Sequence, residues 1–189
     1  MRYMIEVRWH GRGGQGIKTA SRLLALAQVG EGWWVQAVPE YGPERSGAPM
    51  VAYNRADETP IRRYDAITHP TLVVVLDRSL WREQDVWTGL GSGGLVLLNA
   101  PEVPVETDWH RDMVMAVPAD RLAREAGAGY ANVVMVGAVR AVLGRGGESS
   151  LTVAVQELFG RRLSAAAMAA TERAVMAGYR FVRDAEKAS

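Results

Sequence analysis

The chain has 189 residues and a net charge of +1, and its hydrophobic and charged fractions are 48% and 23%. This balance is typical of a globular protein with a sizeable core, and it argues against a general nucleic-acid binder. The sequence contains no cysteine, which excludes disulfides and cysteine-ligated zinc or iron–sulfur sites within it. No apolar stretch approaches the length of a membrane span, so we expect a cytoplasmic protein without a membrane partner.

The first predicted strand covers residues 3–9, where alternate residues are apolar. A glycine-rich turn follows it, and the apolar spacing then predicts a helix from Gly16 to Gln28. Ser79 is predicted to cap a short helix that runs through Trp87. The further predicted strands, bounded by glycine, proline or polar residues, lie at 33–38, 50–54, 72–76, 95–98 and 113–117.

From residue 118 onward the pattern is helical, with predicted helices at 120–126, 132–143, 151–158 and 163–185. Small residues on one side of the last helix favour close packing against another element; they are Ala167, Ala170, Ala174 and Gly178. Strands that alternate with helices predict an α/β fold. We expect a Rossmann-like layered fold with a mixed sheet and a helix-rich C-terminal third, forming a single domain over residues 1–189.

The turn after the first strand is the main candidate binding site. Glycines at this spacing leave backbone N–H groups open at a helix N-terminus, which attracts anions such as phosphate. The segment from Arg12 to Gln28 contains no acid, whereas Lys18 and Arg22 lie on one helix face. The alternative is that the glycines only permit a tight connection. The predicted cofactor-binding residues are Gly11, Arg12, Gly13, Gly14, Gln15 and Gly16.

The same spacing matches a dinucleotide fingerprint, but a Rossmann site also needs an acid at the end of the second strand. The nearest acid, Glu40, lies in a turn-rich loop, which weakens this hypothesis. A stand-alone nicotinamide- or flavin-binding oxidoreductase remains an alternative. His10 adjoins the turn and is a further candidate for ligand contact. The three histidines lack metal-ligand spacing, and the sequence offers no self-sufficient catalytic set.

Residues 39–49 form the second unusual segment, with three prolines and two glycines. Tyr41, Glu44 and Arg45 lie between these prolines, which favours a loop held in shape. Loops that follow strands build ligand sites at the carboxyl edge of such sheets. We therefore expect this loop and the glycine turn to flank one crevice.

Taken together, the segment from His10 to Gly16 and the Pro-Glu-Tyr-Gly-Pro-Glu-Arg-Ser-Gly run at 39–47 resemble the gamma subunit of 2-oxoacid:ferredoxin oxidoreductases. Residues 76–77, 93–99 and 132–138 also fit the family pattern. Family members often carry Arg-Arg-Gly or Arg-Gly-Gly where this chain has Arg-Ser-Gly at 45–47. The small subunit of indolepyruvate oxidoreductase shares the gamma-type fold and remains an alternative.

The resemblance implies a role inside an enzyme that oxidatively decarboxylates a 2-oxoacid with coenzyme A, forming acyl-CoA and carbon dioxide and reducing ferredoxin. It implies that thiamine diphosphate, magnesium and iron–sulfur clusters lie on alpha-, beta- and delta-type subunits. This chain would then hold no cofactor alone, supply no catalytic residue and be inactive in isolation. Tyr41, Glu44 and Arg45 would contact the catalytic subunits. A purely structural subunit is the non-catalytic alternative.

Overall fold

The computed structural model describes residues 4–39, 47–83, 86–104, 111–144 and 146–188, which contain six strands and six helices. The strands are β1 (Ile5–Arg12), β2 (Trp34–Pro39), β3 (Pro49–Asp57), β4 (Leu72–Val75), β5 (Leu95–Asn99) and β6 (Val114–Val117). The helices are α1 (Ile17–Val29), α2 (Leu80–Glu83), α3 (Ala119–Glu125), α4 (Asn132–Val142), α5 (Glu148–Phe159) and α6 (Ala165–Ala188). None of the described helices is long and apolar enough to cross a bilayer.

The six strands form one mixed sheet in the order β2-β3-β1-β4-β5-β6. Strands β1, β4, β5 and β6 run parallel to one another, whereas β3 is antiparallel to both β1 and β2. The predicted α/β fold with a mixed sheet is confirmed. Because the parallel strands end at the same edge, the turn after β1 and the residues after β4 lie side by side.

Helices cover the two faces of the sheet unequally. One face packs against α1 and α4–α6, and its core includes Trp9, Leu24, Val74 and Met135. The other face has a smaller cluster over β4–β6 that includes Val73, Val75 and Leu80. Consecutive residues of β4 therefore alternate between two apolar cores, which explains its uninterrupted apolar sequence.

Helices α4 and α6 pack with their backbones almost in contact. A Cβ atom built on Gly137 would lie 1.8 Å from the Val175 carbonyl oxygen, and one on Gly178 would lie 1.9 Å from the Val134 carbonyl oxygen. Only glycine fits at either position. Ala174 is also fully buried, so the predicted small-residue side of the last helix is confirmed as a packing surface.

Several element boundaries differ from the sequence predictions, among them the ends of β1, β3 and α2. Strand β1 continues to Arg12, because Gly11 and Arg12 pair with Met50 and Pro49 of β3. Strand β3 continues to Asp57 for the same reason, since it is paired on both sides. The predicted end of the second helix at Trp87 is wrong: α2 ends at Glu83, and residues 86–89 form a turn.

Candidate functional site

The glycine turn connects β1 to α1 and requires glycine at defined positions. Gly14 and Gly16 have φ angles of +95° and +76°, which side chains rarely permit. A Cβ on Gly16 would lie 2.4 Å from Asn132 Nδ2, and this amide donates to the Gly16 carbonyl oxygen at 3.0 Å. The first residue of α4 thus holds the start of α1 in place.

Arg12 ties the turn to its neighbours. Its Nη2 donates to Ser79 Oγ at 2.7 Å, and its Nη1 donates to the Gly47 carbonyl oxygen at 3.0 Å. Its Nε lies 3.5 Å from Asp77 Oδ2. The guanidinium therefore joins the end of β1 to the segment after β4 and to the residues before β3.

Gln15 makes a second connection across the same gap. Its Oε1 accepts a hydrogen bond from the Arg12 backbone N–H at 2.8 Å, and its Nε2 donates to Asp77 Oδ2 at 2.8 Å. The Gln15 backbone N–H donates to the Arg12 carbonyl oxygen at 3.1 Å. Gln15 thus closes the turn on itself and fastens it to Asp77.

Asp77 receives hydrogen bonds at both of its oxygens. The Ser79 backbone N–H and hydroxyl donate to Oδ1 at 2.9 and 2.6 Å, while Gln15 donates to Oδ2. Partial burial opposes ionisation of this carboxyl group, but the hydrogen bonds from Ser79 and Gln15 and the charge of Arg12 outweigh it and lower its pKa. Asp77 is therefore a carboxylate at neutral pH.

These contacts fill the usual ligand crevice of an open α/β sheet. Ligands bind such sheets where adjacent parallel strands lead to helices on opposite faces. Here β1 and β4 are adjacent, and they lead to α1 on one face and α2 on the other. Arg12 and Gln15 bridge that point to Ser79 and Asp77. The polar side chains of the turn therefore stabilise the conformation of the turn itself.

A cleft of about 410 Å³ lies on the other side of the turn, between the start of α1, the start of α4 and helix α6. Gly14 and Gly16 form part of one wall, and among the described residues, chain neighbours aside, no heavy atom lies within 4 Å of a Cβ position on Gly14. The lining combines apolar side chains with a few polar groups, which is typical of small-molecule sites. It includes Thr19, Tyr130, Asn132, Phe159, Leu163 and Thr171.

His10, predicted as a ligand contact, lies away from this cleft. It is buried on the face of the sheet opposite α1, where its Nε2 accepts a hydrogen bond from Arg8 Nε at 3.0 Å. Arg8 Nη2 also donates to the Val86 and Thr88 carbonyl oxygens. The His10 prediction is therefore corrected: the residue belongs to a buried polar network beneath the sheet.

Tyr41, Glu44 and Arg45, the predicted loop contacts, lie outside the described residues. The end of their loop does meet the glycine turn: the Gly13 backbone N–H donates to the Ala48 carbonyl oxygen at 2.8 Å. The Gly47 backbone N–H donates in return to the Gly13 carbonyl oxygen at 3.1 Å. The structure thus brings the loop's C-terminal end to the turn.

The topology disfavours a dinucleotide site. In a Rossmann fold the second strand, which carries the ribose-binding acid, lies next to the first. In this sheet β3 lies between β1 and β2, so β2 is about 10 Å from β1. Glu40, the candidate acid, lies outside the described part of the chain. Within that part, no three histidine, aspartate or glutamate side chains are arranged to hold a metal ion.

Sequence reasoning missed Asp77, Ser79 and Asn132 as members of the site. An aspartate directly after a buried strand, with serine two residues later, was the available signal for the Asp77–Ser79 pair. Asn132 gave a weaker signal as a polar residue at the start of an apolar helix. Neither pattern identifies the partners 62 and 116 residues away in sequence.

Comparison with known proteins places the chain in a family. Residues 6–181 match the family described as pyruvate ferredoxin/flavodoxin oxidoreductase. Pyruvate synthase subunit PorC of Thermotoga maritima is 36% identical over 185 residues, which cover 96% of each chain. The common subunit gamma of the pyruvate/ketoisovalerate oxidoreductases of Thermococcus kodakarensis is 40% identical over 176 residues, covering 90% of this chain and 95% of the relative.

A solved structure agrees with this relationship. The crystal structure of pyruvate oxidoreductase subunit PORC from Thermotoga maritima matches with a TM-score of 0.79 and 33% identity, covering 95% of this chain and 97% of that one. Sequence and fold thus agree over nearly the whole length of both proteins. The chain belongs to the pyruvate ferredoxin/flavodoxin oxidoreductase family, as a gamma-type subunit of a multi-subunit, ferredoxin-dependent oxidoreductase.

Proposed function

We propose that this chain contributes to the coenzyme A binding site of a 2-oxoacid:ferredoxin oxidoreductase. The assembled enzyme decarboxylates a 2-oxoacid, transfers the acyl group to coenzyme A and passes two electrons to ferredoxin. Alpha-, beta- and delta-type subunits carry thiamine diphosphate, magnesium and the iron–sulfur clusters. The absence of cysteine from the sequence supports this division, because such clusters are held by cysteine thiolates.

The observation that carries this proposal is the cleft at Gly14 and Gly16. It opens at the N-terminus of α1, whose first turn contains no acid, so phosphate groups of coenzyme A meet a favourable field there. The apolar walls suit the less polar parts of the same molecule. Gly14 and Gly16 would present backbone to the ligand, while Arg12 and Gln15 hold the turn in shape.

Positioning and binding are the whole contribution of this chain to the reaction. The hydrogen bonds among Arg12, Gln15 and Asp77 keep the turn rigid before the ligand arrives, which reduces the entropy lost on binding. Gly11 completes this shape, because a Cβ there would lie 2.7 Å from Ile17 Cδ1. No covalent step is assigned to a residue of this chain. The choice of 2-oxoacid is made on other subunits.

Two glycines with matched geometry provide the test. Gly14 and Gly32 both have positive φ, +95° and +84°, and both have open space where a Cβ would lie. Gly14→Leu fills the mouth of the cleft, whereas Gly32→Leu introduces similar backbone strain at the distant α1–β2 turn. In the assembled enzyme we expect Gly14→Leu to raise the KM for coenzyme A about tenfold or more, and Gly32→Leu to leave it unchanged.

The outcomes distinguish the alternatives. An unchanged KM for coenzyme A in an intact Gly14→Leu complex contradicts the ligand role. Loss of assembly with Gly14→Leu, but not with Gly32→Leu, supports a purely structural turn that packs against a partner. Tight binding of a nicotinamide or flavin dinucleotide by the chain alone, measured by calorimetry, would support the stand-alone oxidoreductase.

A further inference from the structure

The side chain of Tyr130 lines the cleft but takes no part in the apolar packing of the fold. It is 68% exposed and belongs to neither of the two described core clusters. Phe159, which also lines the cleft, is half-buried and packs against the larger core. Single exposed aromatic residues are common on protein surfaces, so the surroundings of Tyr130 decide whether it has a function.

The connection between α3 and α4, which carries Tyr130, is fixed at its start. Gly127 has a φ of +76°, and its backbone N–H donates to a carbonyl oxygen in the last turn of α3 at 3.0 Å. The Ala128 backbone N–H donates to a second carbonyl oxygen of that turn at 2.9 Å, which completes a Schellman motif. Arg173 of α6 also donates to the Ala126 carbonyl oxygen at 2.9 Å.

The connection is also fixed at its end, where Asn132 follows Tyr130 by two residues. Asn132 Nδ2 donates to the Gly16 carbonyl oxygen at 3.0 Å, and its Oδ1 accepts a hydrogen bond from the Val133 backbone N–H at 3.0 Å. Tyr130 therefore belongs to a short segment whose position relative to the glycine turn is set before a ligand arrives. Such pre-organisation reduces the entropy that is lost on binding.

The cleft is too small for the whole of coenzyme A. Its volume of about 410 Å³ lies near the lower end of the range of about 300–1,000 Å³ that is typical of sites for drug-sized ligands. Coenzyme A is larger than such ligands, because it joins a phosphorylated adenosine, a diphosphate and a long pantetheine arm. One part of the molecule can therefore fill the cleft, while the rest extends beyond this chain.

The residues of the lining indicate which part enters. Adenine is the aromatic ring system of coenzyme A, and it is joined to the diphosphate through a ribose. Nucleobases stack on aromatic side chains, and one such contact changes affinity by about tenfold. Because Gly14, Gly16 and Tyr130 line the same cleft, a nucleotide can place its phosphates at the glycines and its base on the tyrosine ring. The pantetheine arm contains no ring that could stack.

We propose that Tyr130 stacks on the adenine ring of coenzyme A, so that the cleft holds the nucleotide half of the ligand and the pantetheine arm extends towards the other subunits. This inference rests on the proposed function and adds to it the orientation of the ligand. The thiol that accepts the acyl group is at the far end of the arm, so this orientation delivers it to subunits that carry out the chemistry. Tyr130 contacts the adenine before and during the reaction alike, and it therefore contributes to KM and not to kcat.

The first test removes the ring and then restores it. The enzyme is assembled with wild-type chain, Tyr130→Ala, Tyr130→Phe or Tyr64→Ala, and coenzyme A is varied. Tyr64 is 84% exposed and lies in a different part of the chain, so it is a matched control. We expect Tyr130→Ala to raise the KM for coenzyme A about tenfold with an unchanged kcat, whereas Tyr130→Phe and Tyr64→Ala stay within about twofold of wild type. The melting temperatures of the isolated variants should stay close to the wild-type value.

The second test uses two fragments of coenzyme A as inhibitors of acyl-CoA formation by the assembled enzyme. Adenosine diphosphate carries the base and the diphosphate, whereas 4′-phosphopantetheine carries the arm and one phosphate. We expect both to compete with coenzyme A in the wild-type enzyme. In Tyr130→Ala the inhibition constant of adenosine diphosphate should rise about tenfold, and that of 4′-phosphopantetheine should change less than about twofold.

Several results would overturn the stacking role of Tyr130. They are a KM for coenzyme A that is unchanged in Tyr130→Ala, an equal loss in Tyr130→Phe, an equal effect on both fragments, and a wild-type enzyme that adenosine diphosphate does not inhibit. Loss of subunit assembly in Tyr130→Ala, but not in Tyr64→Ala, would assign the ring to a protein contact instead. A KM that is unchanged in Gly14→Leu contradicts the proposed function as well, whereas a raised KM in Gly14→Leu with a normal Tyr130→Ala enzyme contradicts the stacking role alone.

Discussion

Gln15 Nε2 donates to Asp77 Oδ2 across 2.8 Å and so joins the turn after β1 to the residue that follows β4. This contact spans the point of the sheet where a dinucleotide would bind in a Rossmann fold. The chain thus keeps the glycine fingerprint but uses its polar side chains for internal hydrogen bonds. The open side of the turn is the one that faces α4 and α6.

The Asp77 carboxylate should make stability depend on pH. Its pKa is lowered in the folded state, so its contribution is fully present above its ordinary value of 3.8 and is lost as the pH falls through the lowered value. Asp77→Asn should cost about 1–2 kcal/mol at neutral pH, because Asn cannot accept hydrogen bonds at both positions.

Urea unfolding at pH 7, 5, 4 and 3 measures this effect. The difference in unfolding free energy between wild type and Asp77→Asn should narrow below about pH 4. Asp184→Asn is the control, since Asp184 is 73% exposed and pairs with Lys187 on the same helix; it should change stability by less than about 0.5 kcal/mol. A difference in unfolding free energy that stays constant with pH would show that the partners of Asp77 do not stabilise its ionised form.

The contact between α4 and α6 predicts a large effect from a single methyl group. Gly137→Ala improves helix propensity by about 1 kcal/mol, but its Cβ would lie 1.8 Å from the Val175 carbonyl oxygen. We expect a net loss of about 2 kcal/mol or more, because backbone atoms must shift. Gly129→Ala should be nearly neutral in the same thermal unfolding experiment, because in the described part of the chain no heavy atom beyond its sequence neighbours lies within 4 Å of the added Cβ. Equal melting temperatures would contradict the observed packing.

The fold and the site differ in how far they follow from sequence alone. The apolar run of β4 and the small residues of α6 predict their elements because each pattern reports local burial. The position of β3 between β1 and β2 does not follow from such a pattern, since pairing order depends on long-range contacts. Arg8 shows the same limit: it is a polar residue of an alternating strand, yet the chain at 86–88 covers it and accepts its hydrogen bonds.

A buried ion pair fixes the connection between α1 and β2. Arg140 on α4 is 2% exposed, and its Nη2 lies 2.7 Å from both carboxylate oxygens of Glu31. Glu31→Ala removes the charge that compensates this buried guanidinium and should cost about 3–5 kcal/mol. Glu125→Ala, which removes an exposed pair with Arg121, should cost less than about 0.5 kcal/mol. Similar losses in chemical unfolding for both variants would contradict this difference.

Asn132 lies at the proposed ligand site and also holds the start of α1. Two substitutions of this residue distinguish the effect of charge on ligand binding from the effect of a lost hydrogen bond. Asn132→Ala and Asn132→Asp both remove the hydrogen bond to the Gly16 carbonyl oxygen. Only the aspartate adds a negative charge beside a cleft proposed to receive phosphate groups. We expect Asn132→Asp to weaken coenzyme A binding several-fold more than Asn132→Ala, and the difference to shrink at high salt. Identical affinities at low salt would argue against an anionic ligand in this cleft.

Reconstitution of the enzyme with and without this chain tests the central claim most directly. The measurement is the initial rate of ferredoxin reduction by a 2-oxoacid as coenzyme A is varied. With the chain present, we predict saturable, coenzyme A-dependent ferredoxin reduction whose half-saturation point moves upward in the Gly14→Leu variant. Full coenzyme A-dependent activity in subunits that lack this chain would contradict the account.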